Sequence, residues 1–209
     1  MIRKNNSGFA LSFILLGVVI VIGVLVLGYF SLTKRSVQSL NTLPTPEQQR
    51  VQKLPEQIHE SEDFSIMVPE GWSTANQLPG SLLTITNVGE THANDPAAQK
   101  INFKSYISVS FDKTQGKSLD KIVDDLNLQL KQTIASTKVI NSQDDVIDDQ
   151  KAKIVELTLT QQEVNFTIFI VVVAKADKYF VISGNTPTSK WEENKEIFEN
   201  VARSFKFKY

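Results

Sequence analysis

Residues 9–30 (FALSFILLGVVIVIGVLVLGYF) run for 22 residues without a charged side chain. At about 1.5 Å per helical residue the run reaches roughly 33 Å, enough to cross the ~30 Å hydrocarbon core of a bilayer. A buried core helix is seldom apolar on every face for six turns. A cleavable secretory signal has a shorter apolar region, about 7–15 residues, followed by a small-x-small site. Tyr29-Phe30-Ser31-Leu32-Thr33-Lys34-Arg35 offers no such site. The chain has no cysteine, which excludes lipid attachment to an N-terminal Cys. Residues 9–30 are therefore expected to be an uncleaved transmembrane helix in contact with the lipid bilayer, behind a short basic head of residues 1–8.

Arg3, Lys4 and the terminal amine precede this run and Lys34 and Arg35 follow it, so the positive-inside count is nearly balanced. A short head before a large C-terminal domain suits a signal anchor with its head in the cytoplasm. The expectation is a single-pass protein of the cell membrane with its C-terminal domain extracytoplasmic. A second reading exists. Ser7-Gly8-Phe9-Ala10-Leu11 resembles the cleavage junction of type IV prepilins, which implies a pilin-like structural subunit processed after Gly8. That family usually carries Glu at the fifth position after the cut, where this chain has Phe13, and Pro44 and Pro46 interrupt the helical stem that a pilin needs.

Residues 31–61 turn polar and carry Pro44, Pro46 and Pro55, which reads as a linker with one short helical piece around residues 47–53. Residues 62–209 then make one domain, large enough to bury its own core. Four of the 22 basic residues (Arg3, Lys4, Lys34, Arg35) flank the apolar run, leaving 18 against 23 acidic ones, a net charge of −5. A mildly acidic domain argues against nucleic acid as a partner and against an electrostatic grip on anionic lipid. Without cysteine the fold needs no oxidising compartment but tolerates one.

Within the domain, hydrophobic periods predict the elements. Strands are expected at 64–68, stopped by Pro69-Glu70-Gly71, at 81–87 and at 106–111, with a polar loop over 89–100. A helix capped by Ser118 presents Leu119, Ile122, Val123, Leu126, Leu130 and Ile134 on one face. Four further strands are expected at 138–141, 153–160, 164–174 and 179–183. In the third of these, Val164, Phe166, Ile168, Ile170 and Val172 line one face and Phe169, Val171 and Val173 the other, the mark of a strand covered on both sides. Short polar links at 161–163 and 175–178 suggest antiparallel hairpins. Ser189-Lys-Trp-Glu192 reads as a capping box opening a last helix, with Trp191, Phe198, Val201 and Phe205 toward the sheet. The sum is an α+β fold, an α/β/α sandwich with a central antiparallel sheet and helices on both faces.

Three stretches together resemble the PsbP-like family, which shares its fold with a Ran-binding yeast nuclear-transport protein. They are Phe64-Ser-Ile-Met-Val-Pro69-Glu-Gly71-Trp72, then Asp177-Lys178-Tyr179-Phe180-Val-Ile-Ser183-Gly, then the terminal helix closing on Ser204-Phe205-Lys206. The resemblance implies a non-catalytic module that docks on larger assemblies, photosystem II in photosynthetic members. In physical terms these motif residues are expected to be structural: Pro69 and Gly71 fix a turn, Trp72 caps the core where the strand leaves it, and Tyr179, Phe180 and Phe205 belong to the same structural motif.

Catalytic chemistry finds little material. With no Cys and two His, thiol catalysis and Cys-based zinc sites are excluded. His59 in the linker and His92 in the polar loop lack HExxH spacing and read as solvated. No G-x-S-x-G elbow, P-loop or G-x-G-x-x-G occurs, so neither cofactor nor metal is expected, and a hydrolase or metal-dependent enzyme is the remotest reading. Asp144-Asp145-Val-Ile-Asp148-Asp149 lacks the alternate acids and central Gly of a calcium loop and reads as a solvated hairpin turn. The segment of greatest functional interest is the loop holding Glu90, His92, Asn94 and Asp95, since contact residues favour long polar loops. It is the expected contact for a protein partner in a membrane or envelope complex.

Overall fold

A strand apolar on both faces must lie inside a sheet that is itself covered on both sides. The computed structural model, which describes residues 56–208, shows how this chain does it. Its strands are β1 (Gln57–Glu60), β2 (Phe64–Val68), β3 (Ser73–Thr74), β4 (Leu83–Thr86), β5 (Tyr106–Lys113), β6 (Lys138–Ile147), β7 (Gln150–Gln161), β8 (Val164–Lys175), β9 (Lys178–Pro187) and β10 (Lys206–Phe207). The helices are α1 (Pro96–Lys100), α2 (Leu119–Thr133) and α3 (Trp191–Arg203). Seven strands form one antiparallel sheet in the order β3-β4-β5-β9-β8-β7-β6, and β1-β2-β10 form a second.

The alternation along β8 falls as its sequence implies. Phe166, Ile168, Ile170 and Val172 pack with Ile122, Val123, Leu126 and Leu130 of α2. Phe169, Val171 and Val173 pack on the opposite face with Phe198, Val201 and Ala202 of α3. Each such side chain contributes about 1.5–3 kcal/mol by leaving water. Ser118 caps α2 by accepting from the Lys121 N–H at 3.2 Å. The hairpin links are as short as expected. Asp148–Asp149 (φ 48° and 59°) and Gln162–Glu163 (φ 52° and 67°) are two-residue turns with both residues left-handed, the geometry that follows the natural twist of the strands.

The structure corrects several expectations. Residues 31–61 are not linker throughout: Gln57–Glu60 pairs with β2, Gln57 opposite Val68 and Glu60 opposite Ser65. β2 does not join the main sheet. Together with β1 and β10 it forms the small sheet that shares the α3 face, where Phe64, Ile66 and Val68 are buried. Alternation identifies a buried face but not the sheet that buries it. β6 runs over Lys138–Ile147 rather than residues 138–141, because polar side chains on an edge strand hide its length, and β7 over Gln150–Gln161 rather than 153–160. No capping box opens α3. The chain passes through a single 3₁₀ turn at Thr188–Lys190, the helix begins without a side-chain cap, and Ser189 is engaged elsewhere. Phe205 lies just past the helix, fully buried and stacked 5.4 Å from Phe64.

The expected head (1–8), transmembrane helix (9–30) and most of the linker lie outside the described residues. Among the described residues no helix is long and apolar enough to cross a membrane.

Candidate functional site

The loop that joins β4 to α1 turns its charged side chains inward. Glu90 and His92 are 7% and 4% exposed, whereas Thr91, Ala93 and Asn94 between and beside them face solvent. The loop histidine is therefore not solvated. Polarity in a loop reads as exposure in a sequence, and here it reflects partners distant in the chain.

The partners come from three elements. Ser105, at the head of β5, gives the Glu90 carboxylate its N–H at 2.5 Å and its hydroxyl at 2.8 Å. Thr186, near the end of β9, sits 2.7 Å from the Ser105 hydroxyl. Asn194, on the buried stripe of α3, reaches Thr186 Oγ1 at 2.9 Å, Ser105 Oγ at 3.2 Å and Glu90 Oε1 at 3.3 Å. The Lys104 ammonium donates to the Glu90 carbonyl. A buried carboxylate is tolerable only when donors surround it, and this one has them.

His92 Nε2 lies 2.7 Å from the Phe103 carbonyl, which can only accept, so Nε2 carries the proton. Nδ1 is buried without a partner among the described residues. Asp95 completes the set. Its Oδ1 caps α1 by accepting from the Ala98 N–H at 3.0 Å, and its Oδ2 accepts from the Ser189 hydroxyl at 2.7 Å. Burial works to raise the Asp95 pKa, but the Ala98 amide and the Ser189 hydroxyl outweigh it and hold the carboxyl below its ordinary value.

Serine, glutamate and histidine meet here, yet not in the order of a catalytic triad. There the imidazole sits between hydroxyl and carboxylate. Here the carboxylate takes the serine hydroxyl, and His92 Nε2 stands 3.5 Å from Glu90 while serving Phe103. The arrangement holds a loop in shape.

The remaining candidates fall elsewhere. His59 belongs to β1, half-buried with its ring 6.2 Å from Phe64. Trp72 packs edge-on against Phe198 at 6.1 Å, and the Pro69-Glu70-Gly71 turn closes with the Trp72 N–H on the Pro69 carbonyl at 3.0 Å. Gly71 takes φ 82° there, a conformation that glycine adopts without strain. Tyr179 and Phe180 are buried in β9. The acidic cluster does turn at Asp148–Asp149, with Asp144 and Asp149 exposed as expected, but three of its acids also take partners. Asp144 pairs with Lys153 at 2.9 Å, Asp145 with Arg203 at 2.9 Å, and Asp148 takes the Phe207 N–H at 2.9 Å and Lys206 at 3.2 Å. It clasps the C-terminal strand. Ser105, Thr186 and Asn194 escaped the sequence reading. Asn194 alone left a sign there, a polar residue on the stripe Trp191, Phe198, Val201.

An antiparallel sheet flanked by α2 on one face and by α3 with a small sheet on the other defines a mixed α+β domain. The family model for PsbP matches residues 56–207, and the chain belongs to that family. Among solved structures it is similar to the cyanobacterial PsbP (CyanoP) of Synechocystis sp. PCC 6803. The TM-score is 0.55 at 15% identity, over 79% of this chain and 98% of that one. It is also similar to LpqN of Mycobacterium tuberculosis, a protein involved in cell envelope biogenesis. There the TM-score is 0.56 at 11% identity, over 73% of this chain and 90% of that one. At such identities these likenesses speak for the fold. None of the curated proteins compared matches the chain.

Proposed function

We propose that this protein is a membrane-tethered, extracytoplasmic, non-catalytic module that docks on a larger envelope or membrane complex. The observation that carries the reading is the loop at residues 89–95. Three buried or bonded side chains (Glu90, His92, Asp95) pin it to Ser105 at the head of β5, to the Phe103 carbonyl and to Ser189 in the 3₁₀ turn before α3, while Thr91, Ala93 and Asn94 are presented outward. A surface ordered before binding gives up little entropy when it binds, which suits a contact element. Membership of the PsbP family and the role of LpqN in envelope biogenesis support docking over catalysis, and the apolar run at 9–30 supports the tether.

Two measurements test this. Ser142, exposed on β6, can be replaced by cysteine in a chain that otherwise has none. Ser142→Cys should react with an impermeant maleimide in intact cells, and labelling only after lysis would place the domain in the cytoplasm. In-cell crosslinking of the full-length protein, followed by capture from membranes, should return one recurring near-stoichiometric membrane complex. Repeated clean capture without any protein partner would sink the docking role.

A further inference from the structure

We propose that Asn194 is a positioning residue of the contact site: from the buried stripe of α3 it holds Glu90, and through Glu90 it sets the shape in which Thr91, Ala93 and Asn94 meet a partner. The proposal rests on the reading of that loop as the contact surface.

Asn194 is 3% exposed, beside Phe198 and Val201 on a helix face otherwise devoted to the core. An apolar side chain would suit that position better unless the amide has work to do, since a buried amide is stabilising only when its hydrogen bonds are made. Its Nδ2 has two protons and three acceptors within 3.3 Å: Thr186 Oγ1, Ser105 Oγ and Glu90 Oε1. Ser105 has one hydroxyl proton to offer, so it cannot serve both Glu90 and Thr186. The Asn194 amide supplies the missing donor and keeps the carboxylate saturated. The residue thus ties the loop to a helix 104 positions away in the chain. Ser189 makes a second stitch to the same loop through Asp95 at 2.7 Å. The 3₁₀ turn with the first turn of α3 is thus joined to the loop twice, and the two should loosen or hold as one unit.

The test is amide hydrogen exchange on the full-length protein, read at the Glu90, Asp95 and Ser105 amides, the hydrogen-bonded N–H groups of the loop and its anchor. Removing a donor from a buried carboxylate should speed exchange there roughly tenfold or more in Asn194→Ala. Asn194→Asp should speed it further, because two carboxylates then face one another. Val201→Ala, which opens the same helix's packing without touching the network, should leave the loop amides protected. The double variant Glu90→Gln with Asn194→Asp exchanges amide and carboxylate and should restore protection. Retained protection of β8 and β9 confirms in each case that the fold is intact. Unchanged loop exchange in both single variants, or equal loosening in Val201→Ala, would overturn the proposal. A photocrosslinker at position 94 separates this from the docking role: its adducts should fall in step with loop protection. Loosened amides with undiminished crosslinking would overturn the contact-surface reading and leave Asn194's hold on the loop standing.

Discussion

Gly184 shows how closely α3 lies on the sheet. A Cβ built at this position in β9 would fall 2.5 Å from the Phe198 ring, so a helix bearing a full aromatic packs here only against bare backbone. Gly184→Ala should destabilise the domain by about 1–3 kcal/mol through overpacking, read as a lower urea midpoint with an unchanged slope. An unmoved midpoint would mean that the ring can swing aside. Tyr106 poses the opposite case. Its ring is 1% exposed and its hydroxyl has no partner among the described residues, and burial pushes its pKa well above the ordinary 10.0. The folded state therefore favours the neutral phenol. Stability is thus unaffected by this group below the unfolded value and falls as pH rises above it toward the folded one, since the unfolded phenol ionises first. Tyr106→Phe should raise stability by about 1 kcal/mol at neutral pH and make the alkaline decline shallower, in melts from about pH 8 to about pH 11. A steeper decline would contradict the burial argument.

Hairpins and clasps set the behaviour of whole elements. Gln162–Glu163 joins β7 to β8 with both residues left-handed and neither of them Gly or Asn. Glu163→Gly should stabilise the domain by roughly 0.5–1 kcal/mol, the left-handed strain removed less the added freedom of the unfolded chain. A fall in melting temperature would show that Glu163 makes a contact worth more than its strain. Asp148 closes the β6–β7 hairpin onto β10. Burial works to raise its pKa, but the Phe207 N–H and Lys206 outweigh it and hold it below the ordinary 3.8. Its contribution is thus present above the ordinary value and lost as pH falls through the folded one. Asp148→Asn keeps an acceptor for Phe207 but no charge. It should be less stable than wild type at neutral pH and flatter in melts from about pH 5 to about pH 2. Parallel curves would exclude Asp148 from the acid response. Much of this level was legible beforehand. The two-faced pattern of β8, the Ser118 cap and the short hairpin links are local signals, written within a few residues. β1, β3 and β10 were not, because strands of two to four residues exist through partners far along the chain, as Lys206 opposite Ser65 does. The site was half legible for the same reason. The loop stood out by its composition, but the burial of Glu90 and His92 depends on Ser105, Thr186 and Asn194, and no local pattern carries that. Ser189 had the right neighbours for a capping box, yet Asp95, brought close only by the fold, takes its hydroxyl.

At the scale of the whole molecule, an apolar run able to span a bilayer is followed by an acidic stretch, residues 36–209 with net charge −5, whose PsbP-family fold ties one polar loop down by buried hydrogen bonds. The charge disfavours nucleic acid and anionic lipid as partners and leaves a protein surface as the natural one. The most direct test places a photoreactive side chain at Asn94 of the full-length protein in membranes of its own cells, with Leu128 of α2, 56% exposed and on the opposite side of the sheet from α3, as the comparison site. The account predicts a recurring adduct with one membrane or envelope protein from position 94 and none from position 128. No adduct from position 94, or the same adducts in equal yield from both, would contradict it.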